Sequence, residues 1–345
     1  MSASTIAATT PAAPEQRIAV NGRAATAWLG VAAIVALALA LRLPAATTVL
    51  GLVAFGVLHN VLELRYVAGR YESVLSGRFL MLLVGLVTGI ATLRLLPLGG
   101  ASQLGEVALC YTVLGVACAR VLAGRRRLLA LAIAVLGGAA FVSAAFPAYH
   151  FVVLGHLHNV VPLFFLWDLS RAMAPRARAV FRGINLAWVL LVPALLLRGL
   201  LDPVLRGSPA SFGGLGGVVS FDPGKLAAPY TPPALTDVGL RFLAVFAFMQ
   251  TMHYVVWVAV LPRFAPEAAA RFDARVPALR RGRAWLLGAG LAVILGVVFA
   301  LDYATGRTLY ASAASYHAYL EFPVLLALIL AHPRQPITPR QGEPT

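Results

Sequence analysis

Histidine, carboxylate and amide side chains stand inside stretches of this sequence that are otherwise built from Ala, Leu, Val and Gly. Four polar patches carry them: Leu58-His59-Asn60 followed by Glu63, the run 150–159 with His150, His156, His158 and Asn159, Gln250 with His253, and His317 with Glu321. Six of the seven histidines lie in these patches. An ionisable group in hydrocarbon is costly unless it is paired, bound to a metal or set beside water, so each patch is a candidate functional site by default. Spacing says which groups can act together. His59 and Glu63 are four residues apart, as are His317 and Glu321, and Gln250 and His253 are three apart, so each pair shares one helix face.

His156 and His158 are two residues apart, about 200° around a regular helix, and cannot both point into one small site. An internal echo favours His158, because Gly56-Val57-Leu58-His59-Asn60-Val61 matches Gly155-His156-Leu157-His158-Asn159-Val160 in register. The echo pairs His158 with His59 and Asn159 with Asn60, and a true duplication is one reading of it. The candidate metal ligands are therefore His59, His158, His253 and His317, with His156 kept as a further member. Glu63 and Glu321 are placed to ligate or to orient imidazoles, and Asn60 and Asn159 stand beside them as candidate catalytic side chains.

Imidazoles and carboxylates converging from several helices can hold iron, zinc or manganese. A mixed His/Glu set with open positions suits non-haem iron and oxygen chemistry. Zinc and copper accept the same donors, and histidines on facing helices equally suit haem b. Thiolate ligation does not fit, since Cys110 and Cys118 lie eight residues apart in one apolar segment without a neighbouring histidine. They read as small hydrophobic packers, and two cysteines make no disulfide framework. A single membrane histidine is commonly a polar strut between helices, so a structural role stands beside the metal reading.

The elements that must position these groups follow from composition. The chain has 345 residues, 60% of them hydrophobic and 12% charged, with a mean hydropathy of +0.83. That excludes an ordinary soluble globule and defines an all-α, polytopic transmembrane helical bundle. Apolar runs long enough to span the bilayer read at 25–43, 46–66, 79–98, 104–123, 127–146, 149–169, 183–201, 237–261, 284–303 and 308–331, about ten helices. The net charge of +15 is spread over short connections rather than gathered in a nucleic-acid-binding patch. Arginines concentrate after the second, fourth, sixth and eighth helices, which makes those loops and both termini cytoplasmic. Integral residence in a prokaryotic cytoplasmic (inner) membrane follows as an expectation. All four histidine-bearing helices then run from outside to inside, with His59, His158, His253 and His317 within roughly 10 Å of one another in depth at 1.5 Å per residue.

Outside the helical domain 25–331, residues 1–24 read as a disordered cytoplasmic tail and 332–345, with His332, as a second one. The external connection 202–236 is rich in Gly and Pro, including Gly213-Gly214-Leu215-Gly216-Gly217, and is either a lid or a disordered excursion. Glu106, Tyr111, Trp257, Asp302, Tyr303, Tyr316 and Tyr319 are further polar or aromatic groups that either line a cavity or mark the interfaces. Arg65 reaches Glu63 only if the backbone bends, and Asp168 with Arg171 reads as a helix-end pair.

The repeated His-x-x-x-acid pattern, His59 to Glu63 and His317 to Glu321, loosely resembles the Brp/Blh-type integral-membrane carotene dioxygenases. The likeness covers these short motifs and the architecture, and here the acid is Glu where that family has Asp. It implies an iron-dependent oxygenase acting on a long hydrophobic molecule through histidine ligands. The residues themselves favour a membrane-embedded metal-dependent enzyme, with a hydrophobic small-molecule substrate entering from the bilayer and a redox partner. A bis-histidine haem b electron carrier and a proton-coupled transporter are the alternatives, although no pair of broken helices is legible for the latter.

Overall fold

The computed structural model describes residues 20–205, 223–280 and 282–330. Ten helices in it are long and apolar enough to cross a membrane: α1 (Gly22–Arg42), α2 (Pro44–Arg70), α3 (Gly77–Leu95), α4 (Gly100–Val121), α5 (Arg126–Ala145), α6 (Pro147–Ser170), α7 (Pro175–Leu197), α8 (Pro233–Phe264), α9 (Arg283–Leu301) and α10 (Tyr303–Leu330). No strand occurs among the described residues. Helices are the form an apolar chain must take in lipid, because each closes its own backbone hydrogen bonds. Local chemistry sets their ends. Asn21 caps α1, its side-chain oxygen accepting from the Ala24 N–H at 3.1 Å, and prolines begin α2, α6 and α7 where a missing N–H costs nothing.

The bundle is organised around its histidine-bearing members. In the most apolar windows of α8, α2, α10 and α6, 78%, 61%, 50% and 39% of residues are buried, more than in any of the other six spans. Lipid tails are as apolar as Leu and drive no such sorting by themselves, so the central helices are those whose polar residues need protein around them. α2 packs against α8, α9 and α10, α3 and α4 lean on α10, and α1 covers α8. α5, with no buried residue, touches α4 and α6 at the rim.

Ion pairs tie the arginine-rich ends together. Arg65, near the end of α2, grips Asp273 in the helix Pro266–Arg275 with two bonds of 2.9 and 2.6 Å. Arg70 reaches Asp168 on α6 at 3.0 Å, and Arg125 donates to the Leu330 carbonyl of α10 at 3.3 Å. The C-terminal ends of α2, α6 and α10 and the segment following α8 therefore share one face, and the four helices run in the same direction. Arg65 thus pairs with Asp273 rather than with Glu63, which lies two positions away on a diverging face. Asp168 does pair with Arg171, at 3.7 Å, in addition to Arg70.

Two expected boundaries shift. α1 begins at Gly22, so the stretch read as a tail through residue 24 is already helical at its end, while 1–19 lie outside the described residues. The connection 202–236 carries short helical turns at Asp202–Leu205, Pro223–Ala227 and Ala228–Tyr230, and its last residues, from Pro233, already form the first turns of α8. Gly213 to Gly217, His332 and the tail 332–345 fall outside the described residues.

α2 and the helix Pro266–Arg275 meet at Gly69, where an added Cβ would stand 2.0 Å from the Ala268 carbonyl oxygen. Gly69→Ala is expected to lower thermal stability in detergent by an amount equivalent to about 1–3 kcal/mol. Gly85→Ala, where an added Cβ meets nothing within 4 Å, should match wild type or exceed it slightly in the same melting experiment.

Candidate metal centre

His59, His158, His253 and His317 each offer a nitrogen to one group whose ligand atoms all lie within 4.8 Å of one another. His317 Nε2 is 3.3 Å from His59 Nε2 and 3.0 Å from His158 Nε2. Nitrogens around a single ion at roughly 2.1 Å are separated by about 3 to 4.2 Å, a range that these two distances fall in and that the full spread of 4.8 Å slightly exceeds. The rings touch directly, with centroids 4.8 Å apart for His59 and His317, 4.8 Å for His158 and His317, and 4.5 Å for His158 and His253. Three of the histidines are 1–2% exposed.

Hydrogen bonding sets the tautomers. His59 Nδ1 donates to the Phe55 carbonyl at 2.9 Å, so its Nε2 carries a lone pair facing the other rings. His317 Nε2 holds at most one proton and faces two nitrogens, so lone pairs in this cluster point at one another with too few protons between them. A cation at their meeting point satisfies all of them at once. The acids repeat the argument. Glu63 and Glu321 are 0% and 1% exposed and lie close to one another, and neither carboxyl has a hydrogen-bond partner among the described residues outside this pair. Glu321 Oε2 lies 3.2 Å from His158 Nδ1 and Glu63 Oε2 lies 3.5 Å from His253 Nε2, within pairing distance but without hydrogen-bond alignment. A buried group left without a partner costs about 1–3 kcal/mol, more when charged. If both acids were ionised beside four neutral imidazoles, one divalent ion would balance them. Glu321 would then hold the outward Nδ1 of the His158 ring, whose Nε2 faces His317, the common support of metal-bound histidine.

The backbone brings the ligands to this point by breaking regularity. Pro162 has no N–H for the His158 carbonyl, which accepts instead from Val161 at 3.1 Å, and α6 is interrupted by a tight turn between His158 and Pro162. His158 is thus the last residue of the first half of α6. In α8 a wide π turn at Val256–Val260 begins three residues after His253 and ends two residues before Pro262. On α2, Gly56 lets α10 approach one turn before His59, since a Cβ there would lie 2.7 Å from the Tyr310 ring. Its counterpart in the echo, Gly155, meets nothing within 4 Å and instead lines a cavity.

That cavity, about 230 Å³, ends on His158 and His317. Leu52, Phe151, Leu154 and Phe246 supply apolar wall, and Asn159, Gln250, Tyr254 and Tyr310 supply polar edges. Tyr230, from the external connection, stacks on Phe246 at 3.5 Å between ring centroids and covers the outer end. Burial pushes the Tyr230 hydroxyl up to about 12, so the cover is uncharged.

Among the residues singled out from sequence, His156 does not join the cluster. Its Nε2 is bonded to the Tyr230 carbonyl at 2.9 Å and its ring packs by Phe242 and Phe246, because the helix is still regular there and turns it away from His158. His150 is also elsewhere, 3.1 Å from Ser143 Oγ. Asn60 is buried beside His59 with its Oδ1 unpartnered, and Asn159 stands at the α6 break, donating to the Gly155 carbonyl at 3.2 Å. Trp257 packs against His253, and Tyr316 bonds Thr88 at 2.9 Å. Glu106 and Tyr319 belong to a network that the sequence reading left incomplete: Arg94 Nε reaches both Glu106 oxygens at 3.0 Å, and the Tyr319 hydroxyl donates to Glu106 at 2.8 Å. Arg94 inside an apolar run, opposite Glu106 on the next helix, was the available signal. Cys110 and Cys118 are buried and unbridged.

No family model, curated protein or solved structure matches the chain.

Titration of the purified, metal-stripped protein with zinc, competed against a chelator, separates the two neighbouring histidines. His158→Ala should weaken binding at least about 100-fold and Glu321→Ala about 10- to 100-fold, whereas His156→Ala should bind as wild type. Equal losses for His156→Ala and His158→Ala would contradict the assignment.

Proposed function

We propose that this chain is an integral-membrane, metal-dependent enzyme, a non-haem iron oxygenase or related oxidoreductase that acts on a lipid-soluble substrate. The observation that carries the reading is the convergence of four imidazole nitrogens within 4.8 Å, flanked by two buried carboxyls, beside a largely apolar cavity that His158 and His317 line. Imidazole donors suit iron, zinc and copper alike. Iron is preferred because the largely hydrocarbon wall offers a substrate that calls for oxidation rather than hydrolysis. When bound, iron supplies electron-transfer and oxygen chemistry that no side chain of this protein can supply.

His59, His158, His253 and His317 hold the ion, Glu321 orients His158 and Glu63 orients His253. Asn60 and Asn159 lie one residue beyond ligands, Asn159 on the cavity wall. Leu52, Phe151, Leu154 and Phe246 keep water from the reacting end, and a redox partner completes the electron balance from the arginine-rich face. The resemblance to Brp/Blh-type carotene dioxygenases belongs to this proposal, as does residence in a prokaryotic cytoplasmic membrane, which rests on the arginine distribution. Haem b is disfavoured by the direct ring contacts, which leave no slot for a macrocycle between any pair. The interruption of α6 is the one feature that favours a proton-coupled transporter. The enzyme is preferred because the imidazoles meet at a point instead of being spaced along a path.

Elemental analysis and an absorption spectrum of the protein purified from aerobic and anaerobic cultures test the reading. Stoichiometric iron without a Soret band is expected in wild type, with a loss of roughly tenfold or more in His59→Ala. A Soret band, or full activity in protein free of metal, would overturn it.

A further inference from the structure

One face of α10 forms a continuous floor to the cavity. Arg307, Tyr310, Ala311, Ala314, His317 and Ala318 all line it, and their spacing places them in a single stripe along the helix. Three of the six are alanines, which leave room above the helix for an extended molecule. At the inner end stands His317 of the cluster. At the outer end, ten residues or about 15 Å away, stands Arg307, exposed and without an ion-pair partner among the described residues. Its nearest acid along the helix, Asp302, accepts from the Thr305 hydroxyl and the Ala304 N–H and makes no ion pair with it. Arg94 also borders the cavity, but its charge is spent on Glu106. The interior is therefore electrically balanced around Arg94, and the open positive charge is at the mouth.

Gln250 also lines the cavity, but its Nε2 is given to the Tyr254 hydroxyl at 2.6 Å and it carries no charge, so it does not compete with Arg307 for an anionic group.

We infer that the molecule bound along α10 is a single-chain amphiphile with an anionic head, a carboxylate or a phosphate, whose head pairs with Arg307 at the mouth and whose apolar chain runs over Ala311 and Ala314 to the histidine cluster. The inference rests on the proposed function, because it takes the cavity as the substrate site. An extended hydrocarbon advances roughly 1.3 Å per carbon, from bond lengths near 1.5 Å, so 15 Å corresponds to about twelve carbons. The 230 Å³ of the cavity equals about eight water volumes, enough for most of such a chain once the head sits outside at the mouth. Arginine suits either head, since its planar fork meets carboxylate and phosphate oxygens in pairs.

Calorimetric titration of the full-length protein in lipid nanodiscs tests this with dodecanoate, dodecyl phosphate and methyl dodecanoate. At least one of the two anions should bind tenfold or more tightly than the ester, and the stronger of them identifies the head. Arg307→Gln should weaken that anion about tenfold, leave the ester unchanged and retain the wild-type metal content. Ala314→Phe should weaken dodecyl chains while sparing hexanoate, which does not reach past Ala311. Anion and ester binding alike in wild type, or falling together in Arg307→Gln, would overturn the inference while leaving the metal centre standing. Anion binding that depends on Arg307 in a protein without metal would instead overturn the enzyme reading and keep the binding site.

Discussion

Two carboxyl groups and four imidazoles share one buried point in a bundle whose surroundings cannot solvate them, and the rest of the architecture answers to that constraint. Glu63 and Glu321 have no arginine or lysine partner among the described residues and face His253 and His158, so any charge they carry must be met within the cluster itself. Interaction between opposite charges strengthens as the dielectric falls, which makes a cation here far more effective than the same ion at a surface. It also explains why α2, α6, α8 and α10 are the most buried spans. A helix bearing an unpaired ionisable residue at mid-depth cannot face lipid, so the outer layer is left to spans that are apolar or, like α3 and α4, carry charges paired with one another.

Bringing four helices to a common point requires departures from ideal geometry, and each one has an identifiable cause. Pro162 removes the hydrogen bond that would continue α6 through His158, which places this ligand at a helix end where its ring is free to turn towards His317. The π turn in α8 adjusts the helix just beyond His253. Gly56 permits α10 to lie close enough to α2 for His59 and His317 to meet. Ion pairs at the arginine-rich face, Arg65 with Asp273 and Arg70 with Asp168, hold the same helices in register at one end. The opposite end is left to the cavity and its cover, where Tyr230 rests on Phe246 and takes the His156 ring on its carbonyl. His156 and His158, two residues apart, thus serve the cover and the centre respectively.

Much of this site could be read from the chain. The i, i+4 pairs His59–Glu63 and His317–Glu321 follow from helical periodicity, and the common direction of the histidine-bearing helices follows from the arginines between spans. The preference for His158 over His156 came from the angular argument and the echo with His59, and the cluster contains His158 alone of the two. Other features were hidden for physical reasons. The interruption of α6 depends on one proline in a run whose hydropathy is unbroken. The Arg94–Glu106–Tyr319 network joins three helices, so no single segment displays it. The short helical turns between α7 and α8 escape a reading tuned to long apolar periods.

Taken alone, the sequence determined that this is a helical membrane protein of about ten spans, which of those spans need a protected interior, and which side chains on each share a face. These properties are local: they depend on hydropathy over some twenty residues, on charge in short loops and on helical periodicity. Which groups meet was decided only by the tertiary structure. The helices holding His59, His158, His253 and His317 are far apart in the chain, and their convergence depends on how helices pack, bend and break. The same packing turned Arg307 and the alanines of α10 into the mouth and floor of one cavity, an arrangement no periodicity along a single helix can disclose, because its opposite wall comes from α6 and α8.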